Sequence, residues 1–493
     1  MNLTSKFARL FGLVTLVVLV LVVIGWLIAH PRPTPVKVDF KNRAGGAVVS
    51  PLLFGSGGVG TTLSDSNGIG LITSINMLGN RIFVQVNSLY PTSTTTVDYS
   101  ALDAQLQRAT LNGLSPLVVI QGTPSDLGTS SCAMPSDVNE WARRAASVAA
   151  HIHSQTGGKE AGFEIWNEPD ASNSFCDSDP LNNYLKIYAA AAPALKQAAP
   201  VKVGGPTLAS PGPHDSTWLP AFLSNSGTAP YVDFVSFHLY ISGSPDLPNM
   251  TWDQLYSKTQ DPTGGLSYYY RDVEKYTRAG SQPNAATTPI YVSEYNANYA
   301  FSGNCCQNDN VYGALWNTVA AVDWLNTVND GAKAVPTRII YFASTNSANY
   351  FCLLGARDDA MDCKAPAAGE PFVPYPQYQA YQLFTSPSFL NLEATGANVV
   401  GTPIVPSGLL ATAFYTSTAD DVVLVNPTNS AYRGVPVNLA NLGLYAGVTG
   451  QLYVMANGIL VRKPMSLDAG SVDSVTAVID LPPYSTVALA LSQ

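Results

Sequence analysis

Charge is scarce in this 493-residue chain: Asp, Glu, Lys and Arg make up only 12% of it, about half the usual share. Acidic residues outnumber basic ones, 34 to 25, for a net charge of −9. That balance excludes a phosphate-seeking basic surface, and with it nucleic acid as a partner. Histidine is rarer still, with five in the chain. None clusters with the cysteines, and no Cys-x-x-Cys spacing occurs, so a metal centre is the weaker reading of those thiols. No Gly-x-Gly-x-x-Gly follows the first strand-like run. The segment 54–60, Phe-Gly-Ser-Gly-Gly-Val-Gly, lacks the lysine of a phosphate loop, which argues against a nucleotide site. Disorder is excluded as well, because hydrophobic residues reach 46%.

What is present begins with an apolar run. Lys6 and Arg9 precede an almost unbroken hydrophobic stretch, 10–29, interrupted only by Thr15. About 20 such residues span a bilayer as a helix. No small-x-small cleavage site follows, and 30–35 reads as a stiff Pro-rich spacer. The pattern predicts an uncleaved signal anchor over 1–30, facing the periplasm or exterior, with secretion after signal cleavage as the alternative. Cys132, Cys176, Cys305, Cys306, Cys352 and Cys363 suit an exported chain and read as loop disulfides.

From residue 50 onward, short Val- and Ile-rich runs alternate with segments of helical period. Strands are expected at 52–55, 81–86, 117–121, 162–167, 201–204, 234–240, 290–294 and 338–343. Helices are expected after an N-cap at Ser136, and over 181–198, 266–279, 311–328 and 375–384. Eight strands alternating with helices, with runs apolar on both faces, predict a parallel α/β fold closed into an eightfold (β/α)8 TIM barrel over 50–387. A doubly wound open sheet is the alternative. Beyond 387 the helical period stops. Short strand-like runs separated by turns such as Asn426-Pro427 and Asn457-Gly458 predict an all-β sandwich over 388–493. A lone strand at 36–40, within the 31–49 spacer region, is expected to join that sandwich.

Chemistry concentrates at the ends of the barrel strands, where barrel active sites form. Strand four closes on Trp166-Asn167-Glu168-Pro169 and strand seven on Ser293-Glu294-Tyr295. Two carboxylates facing each other across a barrel suit double-displacement glycoside hydrolysis, one protonated as acid and one ionised as nucleophile. Arg81 on strand two is placed to favour the charged form of Glu294. His238 and Tyr240 on strand six point to one side. Tyr240 can donate to the nucleophile and His238 to a sugar hydroxyl. Trp252, Tyr299, Phe301, Tyr350 and Phe351, in loops after strands six to eight, are candidates for a platform under apolar sugar faces.

These motifs resemble those of clan A glycoside hydrolases. The trailing β-domain narrows the resemblance to families 39, 51, 30 and 79, with the β-xylosidase-like family 39 nearest. The resemblance implies Glu168 as acid/base, Glu294 as nucleophile and Asn167 as the partner of the sugar 2-hydroxyl. Strand eight departs from the pattern: 341–346, Tyr-Phe-Ala-Ser-Thr-Asn, lacks the tryptophan often found there.

The expectation is a retaining β-glycosidase that needs no metal or organic cofactor, since both steps are carboxylate chemistry. Its partners are a carbohydrate and, through the N-terminal run, a membrane. A transglycosylase acting on exported polysaccharide and a non-catalytic carbohydrate-binding barrel are the rivals.

Overall fold

The computed structural model describes residues 34–50, 53–57, 65–90, 92, 96–242, 250–299, 311–345, 352–356, 366–367, 369–392, 396–443, 449–465, 467–471 and 473–492. The apolar N-terminal run, Phe301, Cys305, Cys306, Tyr350, Phe351 and Cys363 lie outside these residues. Among the described residues, no helix is long and apolar enough to cross a membrane.

Eight parallel strands close into a barrel. In order they are Phe54–Ser56, Gly79–Gln85, Ser115–Gln121, Gly162–Ile165, Val203–Leu208, Phe234–Ser242, Ile290–Asn298 and Arg338–Tyr341, called strands one to eight below. Strand eight pairs with strand one to complete the circle. Residues alternate between two environments along each strand. On strand two, Ile82 and Val84 join the main core under the helices, whereas Arg81 points to the barrel interior. Leu117, Phe234 and Tyr291 pack together as the floor of that interior.

Helix Val138–Thr156 shows why the crossovers form where they do. Trp141, Ala145, Val148 and Ile152 are all fully buried, a stripe of helical period facing the barrel. Its cap is Asp137 rather than the expected Ser136: the Asp137 carboxylate accepts from the backbone N–H groups of Asn139 and Glu140. Gly157, at φ 63°, ends it in the left-handed conformation. Helices that periodicity misses have weak local signals. Ser66–Ser74 holds Gly68 and Gly70, and Pro211–Ser224 has Pro220 inside.

The C-terminal part folds as two sheets. Seven strands lie in one, ordered Ile459–Lys463, Thr449–Ala456, Ser485–Ser492, Ala419–Asn426, Leu410–Tyr415, Asn398–Val400 and Arg43–Val48. The other has four: Val36–Asp39, Tyr432–Ala440, Ser474–Leu481 and Asp468–Ser471. The early strand Val36–Asp39 pairs in parallel with Tyr432–Ala440. Strand Arg43–Val48 was not legible, because its Gly-Gly interior has little strand character.

The seven-stranded sheet is apolar on both faces. Val422 and Leu424 face the sandwich core, while Val423 and Val425, one residue away, belong to the barrel's core. Tyr453 and Ala488 do the same on neighbouring strands. Polar contacts follow this seam: Asn326 donates to the carbonyl of Ala411 at 2.8 Å. The β-domain is therefore a wall of the barrel's own core.

Candidate active site

Strand four ends in a tightly determined turn. Trp166 (φ 68°) and Glu168 (φ 46°) both adopt left-handed conformations, which are unfavourable for side chains of this size. The surroundings enforce them. The Thr207 hydroxyl donates to the Trp166 carbonyl at 3.0 Å, and the Glu168 N–H donates to the Thr207 carbonyl at 3.1 Å. Trp166 is buried between Trp141 and Phe175, with ring centroids 5.7 and 5.1 Å away. Next to Phe175, Cys176 forms a disulfide with Cys132, their Cα atoms 5.1 Å apart. The loops after strands three and four are thus tied beside the residues that present Asn167 and Glu168. Cys352 is also disulfide-bonded.

Arg81, fully buried, organises the interior. Its Nε donates to Glu164 Oε2 at 2.7 Å, Nη1 to Glu294 Oε1 at 2.5 Å and Nη2 to Asn167 Oδ1 at 2.9 Å. From strand six, the Tyr240 hydroxyl donates to Glu294 Oε2 at 2.7 Å. His238 Nδ1 lies 2.8 Å from Glu168 Oε1 and 3.7 Å from Glu294 Oε2. Ligating atoms of Glu168, His238 and Glu294 all fall within 4.8 Å of one another. The structure therefore brings Arg81, Asn167, Glu168, His238, Tyr240 and Glu294 into one cluster at the strand ends.

Electrostatics follow from this packing. Burial opposes the charge of Arg81, but Glu164 and Glu294 outweigh it and hold its proton more tightly than usual. Burial also works against ionised Glu168, yet the His238 hydrogen bond and the charges of His238 and Arg81 prevail, keeping it below the ordinary glutamate range. Burial would lower His238, but the charge of Glu294 and the bond to Glu168 raise it. The shared proton of the His238–Glu168 pair thus rests on the imidazole. Burial, then the nearby Glu294 carboxylate, pushes the Tyr240 phenol far above its usual value, so it stays a donor.

The family model described as glycosyl hydrolases family 39 matches residues 87–397, more than half of the chain. The chain belongs to glycosyl hydrolase family 39. A β-xylosidase of Geobacillus stearothermophilus is 30% identical over 172 residues, covering 34% of this chain and 32% of that relative. The match thus spans about a third of the relative's length. Among solved structures, the family 39 enzyme of Xanthomonas axonopodis pv. citri aligns with TM-score 0.62 and 18% identity, covering 94% of this chain and 98% of the other. A monomeric β-xylosidase of Caulobacter crescentus CB15 aligns with TM-score 0.62 and 17% identity, covering 93% and 99%. At these identities the structural likeness shows the fold.

Not every expected residue of this family 39 chain joins the cluster. Trp252 is a correction. It is 6% exposed, donates through Nε1 to the carbonyl of Pro427 at 2.5 Å and stacks on Tyr256 and Tyr312. It fastens the barrel to the β-domain instead of meeting a sugar. Tyr299 is 46% exposed and meets the Tyr240 ring edge-on at 6.2 Å, beside the site. Glu164 is not among the expected site residues, although a carboxylate between the apolar Phe163 and Ile165 signals a buried cation; Arg81 is that cation. The trio Glu168, His238 and Glu294 is the one group among the described residues with metal-ligand spacing; Arg81 already supplies a positive charge against it.

Proposed function

We propose that this family 39 chain is a retaining glycosidase acting on β-xylosides by double displacement, with Glu294 as nucleophile and Glu168 as acid/base. The supporting observation is the close approach of the two carboxylates, with one oxygen of each within 4.8 Å of the other. Retaining enzymes keep their carboxyl groups ~5–5.5 Å apart, whereas inverting ones leave ~6.5–9.5 Å for a water. The β-xyloside class is supported by the related β-xylosidases of Geobacillus stearothermophilus and Caldicellulosiruptor saccharolyticus.

In the first step a Glu294 oxygen attacks the anomeric carbon and forms an ester. The glycosidic bond breaks with its electron pair on the leaving oxygen, which takes a proton from Glu168. His238, 2.8 Å away, supplies that proton to Glu168 as bound substrate excludes water. Asn167, whose Oδ1 is held by Arg81, keeps its amide N–H groups for the sugar 2-hydroxyl. In the second step ionised Glu168 takes a proton from water, the hydroxide oxygen attacks the same carbon, and the ester electrons return to Glu294. The half-exposed ring of Tyr299, edge-on to Tyr240, supports its reading as a stacking face for the sugar. The apolar run at 10–29 and the Cys132–Cys176 bridge support export into an oxidising compartment, with the run as anchor. Proton NMR of an aryl β-xyloside during hydrolysis tests the reading. β-Xylose should appear before mutarotation; α-xylose appearing first would overturn it.

A further inference from the structure

Glu164 has no assigned part in the reaction, yet it is the buried partner of the residue that holds the nucleophile. It is fully buried on strand four, and Oε2 accepts from Arg81 Nε at 2.7 Å. Its other oxygen, Oε1, is buried with no hydrogen-bond partner. A carboxylate left half-satisfied in a barrel interior is costly, so a mere packing role accounts poorly for its charge.

The chemistry of Arg81's other partner supplies a reason. Before reaction, the guanidinium sits between two carboxylates, Glu164 and Glu294. When Glu294 bonds to the anomeric carbon, its negative charge is spent in the ester as the electron pair leaves with the aglycone oxygen. Arg81 would then be a buried cation with no anion on that side. We propose that Glu164 is a positioning and charge-balancing residue. It fixes the Arg81 fork toward Glu294 and Asn167, and it neutralises Arg81 while the glycosyl-enzyme exists. This rests on the double-displacement reading.

The two halves of the reaction should respond unequally to its loss. Glycosylation removes the charge of Glu294 and so depends on Glu164 to balance Arg81. Deglycosylation restores that charge and does not. A group that only supported the fold would slow both steps alike.

An aryl 2-deoxy-2-fluoro-β-xyloside separates the steps, because it forms and releases the covalent adduct slowly enough to time each. In Glu164→Gln the rate of adduct formation should fall about a hundredfold, while reactivation of the isolated adduct is no slower than in wild type, because releasing Glu294 restores the anion that balances Arg81. Glu164→Asp, which keeps the charge, should recover most of the formation rate; it also serves if the Gln variant melts too early to assay. Equal losses in both steps, or no loss in adduct formation, would overturn the role of Glu164. Absence of any adduct in the wild-type chain would instead overturn the double-displacement reading beneath it.

Discussion

Replacing Arg81 with methionine tests whether the site is held by charge or by packing. The side chain is fully buried and its three donors serve Glu164, Glu294 and Asn167. Methionine fills much of the same stem volume but leaves Glu164 without a cation, whereas Glu294 keeps the Tyr240 hydroxyl and the nearby His238. Removing one partner of a buried ion pair costs about 3–5 kcal/mol, a large share of the ~5–15 kcal/mol that holds a typical domain. Buried carboxylates without a partner take up protons rather than stay charged. The folded variant then binds more protons than its unfolded chain, so its stability falls as pH rises. For this one carboxylate the slope is about 1.4 kcal/mol per pH unit above the ordinary glutamate value of ~4.3. Urea unfolding of wild type and variant at pH 5, 6 and 7 measures this directly. The deficit should reach about 3–5 kcal/mol near pH 7 and shrink steadily toward pH 5. A deficit independent of pH would refute the reasoning, since the guanidinium would then matter only as packing.

Two further outcomes follow from the fold and the proton inventory. Ending the chain at residue 387 removes Val423, Val425, Tyr453 and Ala488 from the barrel's core, so the fragment should aggregate on expression; a soluble, fully active fragment would contradict this. In the free enzyme, His238 is raised above its ordinary value by Glu294 and Glu168 despite burial. The proton it shares is present below that raised value and lost as pH rises through it. The basic limb of kcat/KM should therefore lie above pH ~6.5 and shift in His238→Asn; a wild-type limb centred below pH ~6 would contradict the assignment.

Much of this arrangement is legible in the chain. The eight barrel strands are apolar on both faces and interrupted by helical stripes, a pattern that parallel strands covered by helices produce. The ends of strands four and seven stand out because glutamates there interrupt apolar runs. Other features depend on tertiary context. Strand Arg43–Val48 is paired by Asn398–Val400 despite its glycines. Trp252 looks like a sugar platform in sequence because loops at the catalytic face often supply one, but its indole N–H finds Pro427, 175 residues away. Glu164 is visible only as a charge in an apolar run, and its meaning comes from Arg81, 83 residues earlier.

The central claim is that Glu294 attacks the sugar while Glu168 moves the proton, and azide rescue of the two alanine variants tests it most directly. With 4-nitrophenyl β-xyloside, Glu294→Ala should lose turnover because no ester can form. Azide should restore it and give the xylosyl azide of inverted configuration, the small anion entering from the vacated face. Glu168→Ala should still form the xylosyl-enzyme, since this leaving group needs little protonation, and azide should release a product of retained configuration. Retained azide product from Glu294→Ala, or inverted product from Glu168→Ala, would contradict the assignment of the two glutamates.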